Sequence, residues 1–267
     1  VHGLDVDLPR RRRSPLVVTI HDMAVFDVPW AFSRAKALGK QAVTTASVRR
    51  ADAIVVDSNF TAERIRDRFG RDAVVIPLAP RTDFAPPGEA LVREVRASYA
   101  LPERFVLHVG NIEPRKDVAG LALACRQAGV PLVLAGARVG KTAIPAGATA
   151  IGYIPTDRLA ALYSSATLVC YPSLYEGFGL PPVEAMACGA PVVATRIPPL
   201  VEVLGDGAEL VPPSDVAALA GILRTLFDDE AQRRTLAAAG QQRVSHLSWG
   251  ATASATADVY RSLGLTT

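Results

Sequence analysis

Cysteine is scarce in this 267-residue chain, with only Cys125, Cys170 and Cys188, each inside an apolar segment. None has the spacing of a metal or redox site, and no H-E-x-x-H or Cys/His cluster occurs, so no metal is expected. The three read as buried free thiols of a cytoplasmic protein. Aromatic residues make up 6% of the chain, and none interleaves with its one concentrated basic run, Arg10-Arg11-Arg12-Arg13. That run reads as a solvated loop, or as a contact for anionic lipid or a polyanionic acceptor. The net charge of +3 is too small to point to a nucleic-acid partner. No apolar run approaches the ~18 residues of a membrane span. The opening segment does not read as a signal peptide, because the apolar run after the arginines is only Leu16–Ile20 before His21 and Asp22.

What is present is an alternation of short β-branched runs with helical stretches. Strands are expected at Leu16–Ile20, Ala53–Asp57, Val74–Ile76, Phe105–Val109, Pro131–Ala135, Ala148–Ile151, Thr167–Tyr171, Pro191–Ala194 and Glu209–Val211. Helices are expected at Phe32–Arg50, Thr61–Phe69, Glu89–Tyr99, Asp117–Ala128, Asp157–Ser164, Pro182–Cys188, Asp215–Phe227, Glu230–Ser245 and Ser248–Leu263. Alternation of this kind predicts an α/β protein with parallel sheets covered on both faces. The Pro/Gly-rich piece Pro77–Gly88 reads as a linker. The part before it has fewer strands than a full domain, and the chain begins at Val1 rather than a methionine. The expectation is that the first domain has lost its N-terminal part.

The most informative run is Glu176-Gly177-Phe178-Gly179-Leu180-Pro181-Pro182-Val183-Glu184, two carboxylates on either side of a glycine-rich turn. The glycines let backbone N–H groups approach a ligand, and the prolines suit a helix's first turn, whose free N–H groups attract phosphate. The carboxylates can grip hydroxyls. Glu184, expected about three residues into a helix opening at Pro181 or Pro182 and ending before Gly189, reads equally as a cap or a ligand. Glu176 precedes the turn, where no helix end needs it.

A second run, Gly110-Asn111-Ile112-Glu113-Pro114-Arg115-Lys116-Asp117, follows a strand and is expected to open a helix. Open α/β sheets bind ligands at such strand ends. Arg115 and Lys116 would offer a fork and a point charge to a diphosphate, since cations at a helix N-terminus are unfavourable without an anion. Thr19-Ile20-His21-Asp22 places His21 at another strand end, where it is either structural or directed into a cleft. His2, His108 and His246 lack such placement. Gly136-Ala137-Arg138-Val139-Gly140-Lys141-Thr142 imitates a phosphate loop but is one residue short, and Pro145 and Gly147 follow where a helix is required. No G-x-S-x-G elbow occurs.

Gly110 to Lys116, Gly152-Tyr153-Ile154, Leu162-Tyr163, Tyr171-Pro172-Ser173, Glu176 to Glu184 and Gly189-Ala190-Pro191-Val192-Val193 together resemble glycosyltransferase family 4. Thr19 to Asp22 and Asp57-Ser58-Asn59-Phe60-Thr61 look like its first-domain segments. The resemblance covers nearly the whole chain. It implies a GT-B fold, two Rossmann-like doubly wound domains facing a cleft, the first incomplete. Residues 1–85 would be the C-terminal part of the acceptor domain, 86–247 the donor domain, and 248–267 a helix crossing back to the first. It also implies a retaining, metal-independent hexosyltransferase without a cofactor. The sugar, with a mild preference for mannose, would pass from a nucleoside diphosphate sugar to a glycolipid or polysaccharide acceptor. The enzyme would be cytoplasmic, with peripheral contact at the inner face of the membrane.

By the same resemblance, Arg115 and Lys116 would bind the diphosphate beside Gly110 and Asn111, and Glu184 the ribose hydroxyls. Glu176 and the backbone of Gly177, Phe178, Gly179 and Leu180 would hold the donor sugar, and backbone near Gly152, Tyr153 and Ile154 would line the base pocket. His21 would lie near the reacting centre. In many relatives an arginine directly follows the strand-end glycine; here Asn111 stands there and the arginine stands beside the lysine. The family's opening strand and glycine-rich loop have no counterpart, so this chain is expected to bind donor with little turnover. Two other readings stay open: a non-catalytic nucleotide-sugar-binding fragment, and another GT-B enzyme such as a sugar-nucleotide epimerase or a phosphorylase.

Overall fold

A computed structural model describes residues 1–9, 14–140 and 142–265. The basic run at 10–13 and Lys141 lie outside the described residues. The chain divides into two compact units, the first comprising residues 1–79, 175–178 and 247–267, the second 80–174 and 179–246.

The first unit is built on four parallel strands in sequential order: β1 (His2–Gly3), β2 (Val17–Ile20), β3 (Ala53–Val56) and β4 (Val74–Val75). Its helices are α1 (Ala24–Asp27), α2 (Arg34–Arg50) and α3 (Asn59–Phe69). Strand residues alternate between two faces. Val18, Ile20, Ile54 and Val56 pack with Val48 of α2 and Ile65 of α3, while Val17 and Val55 pack with Ile76 and Val259.

The second unit contains six parallel strands: β5 (Val106–Val109), β6 (Leu132–Ala135), β7 (Ala148–Gly152), β8 (Leu168–Tyr171), β9 (Val192–Thr195) and β10 (Glu209–Val211). Their spatial order is β10-β9-β8-β5-β6-β7. The helices of this unit are α4 (Glu89–Ser98), α5 (Val118–Ala128), α6 (Thr156–Ser165), α7 (Leu180–Ala187), α8 (Pro198–Leu204), α9 (Val216–Asp228) and α10 (Glu230–Val244). Val106, Leu132, Leu134, Leu168 and Val193 pack under α5 and α9. Their neighbours Leu107, Val133, Val169 and Val192, directed to the opposite face, are equally buried. Burial on both faces explains why these strands read as continuous apolar runs. The last helix, α11 (Trp249–Ser262), belongs to the first unit. The three cysteines are buried and free.

The expected elements occur with ends shifted by a residue or two. Three unexpected ones are short: β1, α1 and α8, the last hidden behind Pro198-Pro199. Two displaced helix starts matter for the site. Helix α7 opens at Leu180 behind Gly179, whose φ of +91° makes glycine the natural cap residue. Glu184 is therefore its fifth residue, beyond capping range. Helix α5 opens only at Val118, and Asp117 caps it by accepting from Gly120 N–H at 3.1 Å. Arg115 and Lys116 thus lie in the preceding 3-10 turn, Pro114–Lys116, and not at an α-helix N-terminus.

Candidate active site

The second unit has its topological switch between β5 and β8. From β5 the chain winds outward through β6 and β7, and from β8 it winds the other way through β9 and β10. The carboxyl ends of the two strands flanking such a switch are where open α/β sheets bind ligands. Both ends carry expected site residues.

After β5, Gly110 adopts φ +146°, and a side chain on Gly136 would stand 2.0 Å from Gly110 O. The turns after β5 and β6 therefore run in direct backbone contact, extended by Ile112 N–H to Ala137 O at 2.9 Å. This stitching holds the loop that carries the cations. Arg115 Nε pairs with Glu113 Oε1 at 2.8 Å. Its carbonyl accepts from Leu174 N–H at 2.8 Å, tying the turn to the segment after β8. Lys116 is buried at 6% exposure, and its Nζ donates to the Tyr171 hydroxyl at 2.6 Å while lying 4.7 Å from that ring's centre. Tyr171 ends β8, so the contact crosses the switch point. His108 stacks on Tyr171 from the same sheet, which gives that histidine a packing role.

Glu184 is half-buried, and its Oε2 accepts from Tyr163 Oη at 3.2 Å. Burial pushes its carboxyl up to about 7, opposed by the Tyr163 hydrogen bond and the charge of Arg81. As the fifth residue of α7 it makes no N-terminal cap. Gly152 (φ +75°) ends β7; after it Tyr153 is 73% exposed and Ile154 is buried. Asn111 is exposed, and Gly179 and Leu180 enter α7.

Glu176, Gly177 and Phe178 are all buried and belong to the first unit, so the run from Glu176 to Glu184 is divided between the units. Ser58 Oγ donates to Gly177 O at 2.5 Å, and a side chain on Gly177 would meet His21 O at 1.8 Å. Tyr175 Oη donates to Asp27, which Arg64 grips through Nε and Nη2 at 2.9 and 2.8 Å. His21 follows β2, half-exposed; its Nδ1 donates to Asp57 Oδ2 at 2.7 Å and its Nε2 to Leu4 O at 2.9 Å. The hydrogen bond to buried Asp57 raises the imidazole to about 9 against the effect of burial. His21 is consequently a cation at neutral pH.

Asp57, Tyr171 and Tyr163 are partners for which the sequence showed no role. The register of the adjacent parallel strands, with Ile20 beside Val56, brings the next residues, His21 and Asp57, out side by side. The tyrosines lie in runs that carry the family resemblance, but their contacts are 55 and 21 residues away along the chain. His2 hydrogen-bonds Tyr260 and Thr19, a structural tie to α11. The Gly136–Gly140 turn leads into strand β7 and opens no helix, unlike a phosphate loop.

The parallel α/β sheets of the two units match solved structures of GT-B glycosyltransferases. Residues 93–243 match the model of glycosyl transferases group 1, and residues 3–80 that of a glycosyl transferase 4-like domain. The O-antigen chain mannosyltransferase B of Escherichia coli is 30% identical over 98% of this chain and 74% of its own length. Among solved structures, sucrose-phosphate synthase from Thermosynechococcus elongatus is 30% identical with a TM-score of 0.77, over 93% of this chain and 68% of that one. Anabaena HepE in complex with UDP and glucose is 22% identical, with a TM-score of 0.77 over 95% of this chain and 72% of that one. The chain spans less than half the length of several other mannosyltransferases that it matches. It belongs to the group 1 glycosyltransferases.

Proposed function

We propose that the protein transfers mannose from a nucleoside diphosphate mannose to a hydroxyl of a glycolipid or polysaccharide acceptor, with retention of configuration. The observation that carries this reading is the Lys116 ammonium, buried at the switch point and fixed by Tyr171. A buried cation aligned in advance stabilises charge far better than one in water, and the departing diphosphate is where negative charge gathers. Arg115, held by Glu113, supplies the second cation. Glu184 takes the ribose hydroxyls and backbone at Gly152, Tyr153 and Ile154 the base. In the first unit, His21 and Glu176 serve the transferred sugar, with the backbone of Gly177 and Phe178. Gly179 and Leu180 continue that turn.

The E. coli relative is named a mannosyltransferase acting on O-antigen chains, which supports both the sugar and the acceptor class. No side chain is assigned as a covalent nucleophile. In the same-face route the bond from the anomeric carbon to the leaving phosphate oxygen breaks as the acceptor oxygen attacks. That phosphate oxygen accepts the acceptor's proton. The reading needs no metal, because Arg115 and Lys116 meet the charge. A glycolipid acceptor would hold the enzyme at the inner face of the membrane as a peripheral protein.

Calorimetry with GDP and UDP, followed by transfer assays with labelled GDP-mannose, tests the proposal. Lys116→Ala is expected to lower turnover by ~100–1,000-fold, the typical loss of one preorganised charge donor. Undiminished kcat in a folded Lys116→Ala variant would end the assignment.

A further inference from the structure

Residues 80–88 read in the sequence as part of a linker, and a Pro-rich spacer needs no fixed partner. In the structure they belong to the second unit, and Phe84 alone of them is buried. The Phe84 N–H donates to Arg81 O at 3.0 Å, closing a turn that carries the ring inward. That ring is 6% exposed and meets Tyr163 of α6 edge-on, with centres 6.3 Å apart and planes at 69°. Tyr163 is wholly buried, and its hydroxyl is the donor held on Glu184 Oε2. An aromatic contact of this kind fixes the rotation of the phenol that makes the hydrogen bond. Phe84, Tyr163 and Glu184 therefore form one continuous line of contact from linker to carboxylate.

The same turn brings a charge toward the carboxylate. Arg81 Nε and Nη2 donate to Asp83 Oδ1 and Oδ2 at 3.0 and 2.9 Å, and the guanidinium stands 5.9 Å from the centre of the Phe84 ring. Both partners are half-exposed, so the pair adds little stability. Its geometric effect is to fix the guanidinium over Phe84, within electrostatic reach of Glu184. The groups that act on Glu184 are the Tyr163 hydroxyl from α6 and Arg81 from the linker. Cys188, at the end of α7, is pushed up to about 12 by burial and by the charges of Glu184 and Asp83, and so stays a neutral thiol. Arg81 is the one cation among these groups.

We propose that the turn from Arg81 to Phe84 is a working part of the ribose subsite. Phe84 is a positioning residue that holds Tyr163 on Glu184 Oε2, and Arg81 sets a positive charge beside the carboxylate that grips the ribose hydroxyls. This rests on the reading of Glu184 as the ribose ligand, and a Glu184→Gln variant separates failure of that reading from failure of the role given to the turn.

The test is calorimetry of the whole chain at pH 8 with GDP and with UDP, each beside its 2′,3′-dideoxy counterpart, which lacks the hydroxyls in question. Wild type should bind the ribose form more tightly, and Glu184→Gln should lose that preference. Phe84→Leu, which keeps an apolar side chain in place, should weaken ribonucleotide binding roughly fivefold and leave the dideoxy form within about twofold. A merely structural role would weaken both forms alike. Arg81→Gln, at an exposed position, should weaken ribonucleotide binding about threefold at pH 7, with Arg81→Lys restoring it. Removing the cation raises the Glu184 carboxyl above about 7, so this deficit should close by pH 9. If neither nucleotide binds, or Glu184→Gln keeps the wild-type preference, the ribose reading falls and the role of the turn falls with it. If Glu184→Gln loses the preference while Phe84→Leu and Arg81→Gln match wild type, the ribose reading stands and the role of the turn alone is overturned. Equal losses on both nucleotide forms in Phe84→Leu overturn it too.

Discussion

Asp57 Oδ2 lies 2.7 Å from His21 Nδ1 at the carboxyl ends of two neighbouring parallel strands, with Asp57 buried and His21 half-exposed. The pair makes His21 a cation through neutral pH, because the buried carboxylate holds its imidazole at about 9. With Nδ1 held by Asp57 and Nε2 by Leu4 O, the imidazolium is unsuited as a general base at pH 7.

Asp57→Asn should return His21 toward 6.5, readable by NMR titration of its ring. Because the folded value lies above the unfolded one, the pair's stabilisation is full below about pH 6.5 and fades as pH rises through 9. Urea midpoints of wild type and variant should therefore converge between pH 6 and pH 9.5. A constant gap would mean that the titration contributes nothing.

Glu184 carries opposite consequences for binding and for stability. Burial favours its neutral form, raising its carboxyl from 4.5 to about 7. The resulting stability is complete below about pH 4.5 and lost as pH rises through 7. Glu184→Gln should accordingly gain about 1–3 kcal/mol relative to wild type at pH 8. It should also lose ~10-fold or more in donor affinity there, since charged acceptors make the stronger hydrogen bonds. Wild-type affinity should rise between pH 6 and pH 8 while that of the variant stays flat. Calorimetry at both values checks this.

Tyr171→Phe removes the hydroxyl that receives the Lys116 ammonium at 2.6 Å. Disturbing a buried, charge-assisted hydrogen bond is expected to cost ~1–3 kcal/mol of stability. It should lower kcat more than donor affinity, because Lys116 stays present but loses its aim. A loss confined to KM would contradict that.

Gly177→Ala would place a carbon 1.8 Å from His21 O, and backbone cannot yield as a side-chain tip can. Destabilisation above ~2 kcal/mol is expected. Gly39→Ala, with open space around it, should stabilise α2 by roughly 0.5–1 kcal/mol. Thermal melts of the two variants should move in opposite directions.

Metal independence has a simple check. Transfer measured in EDTA should match that in magnesium, because the proposed charge stabilisation comes from Arg115 and Lys116. Loss of activity that magnesium restores would require another account of the leaving group.

The fold class was legible in the sequence because alternating β-branched runs and amphipathic stretches are local signals, and their ends moved little. The glycine-rich turns were legible too, since Gly110, Gly152 and Gly179 take backbone angles that few other residues accept. Expected and observed geometry parted where a start signal was ambiguous. Pro181 and Pro182 looked like the opening of α7, but Gly179 lets the chain turn a residue earlier and moves Glu184 out of cap range. Asp117 took the N-cap of α5, leaving Arg115 and Lys116 in a turn that ends against Tyr171.

The sequence by itself determined the parallel α/β plan, the residue types at the strand ends and the family they resemble, because each depends on short-range pattern. Tertiary structure alone decided that β8 pairs with β5, that His21 meets Asp57, and that Lys116 reaches Tyr171. Those outcomes depend on strand register and desolvation. Each is set by contacts between residues far apart in the chain, where local propensity carries no information.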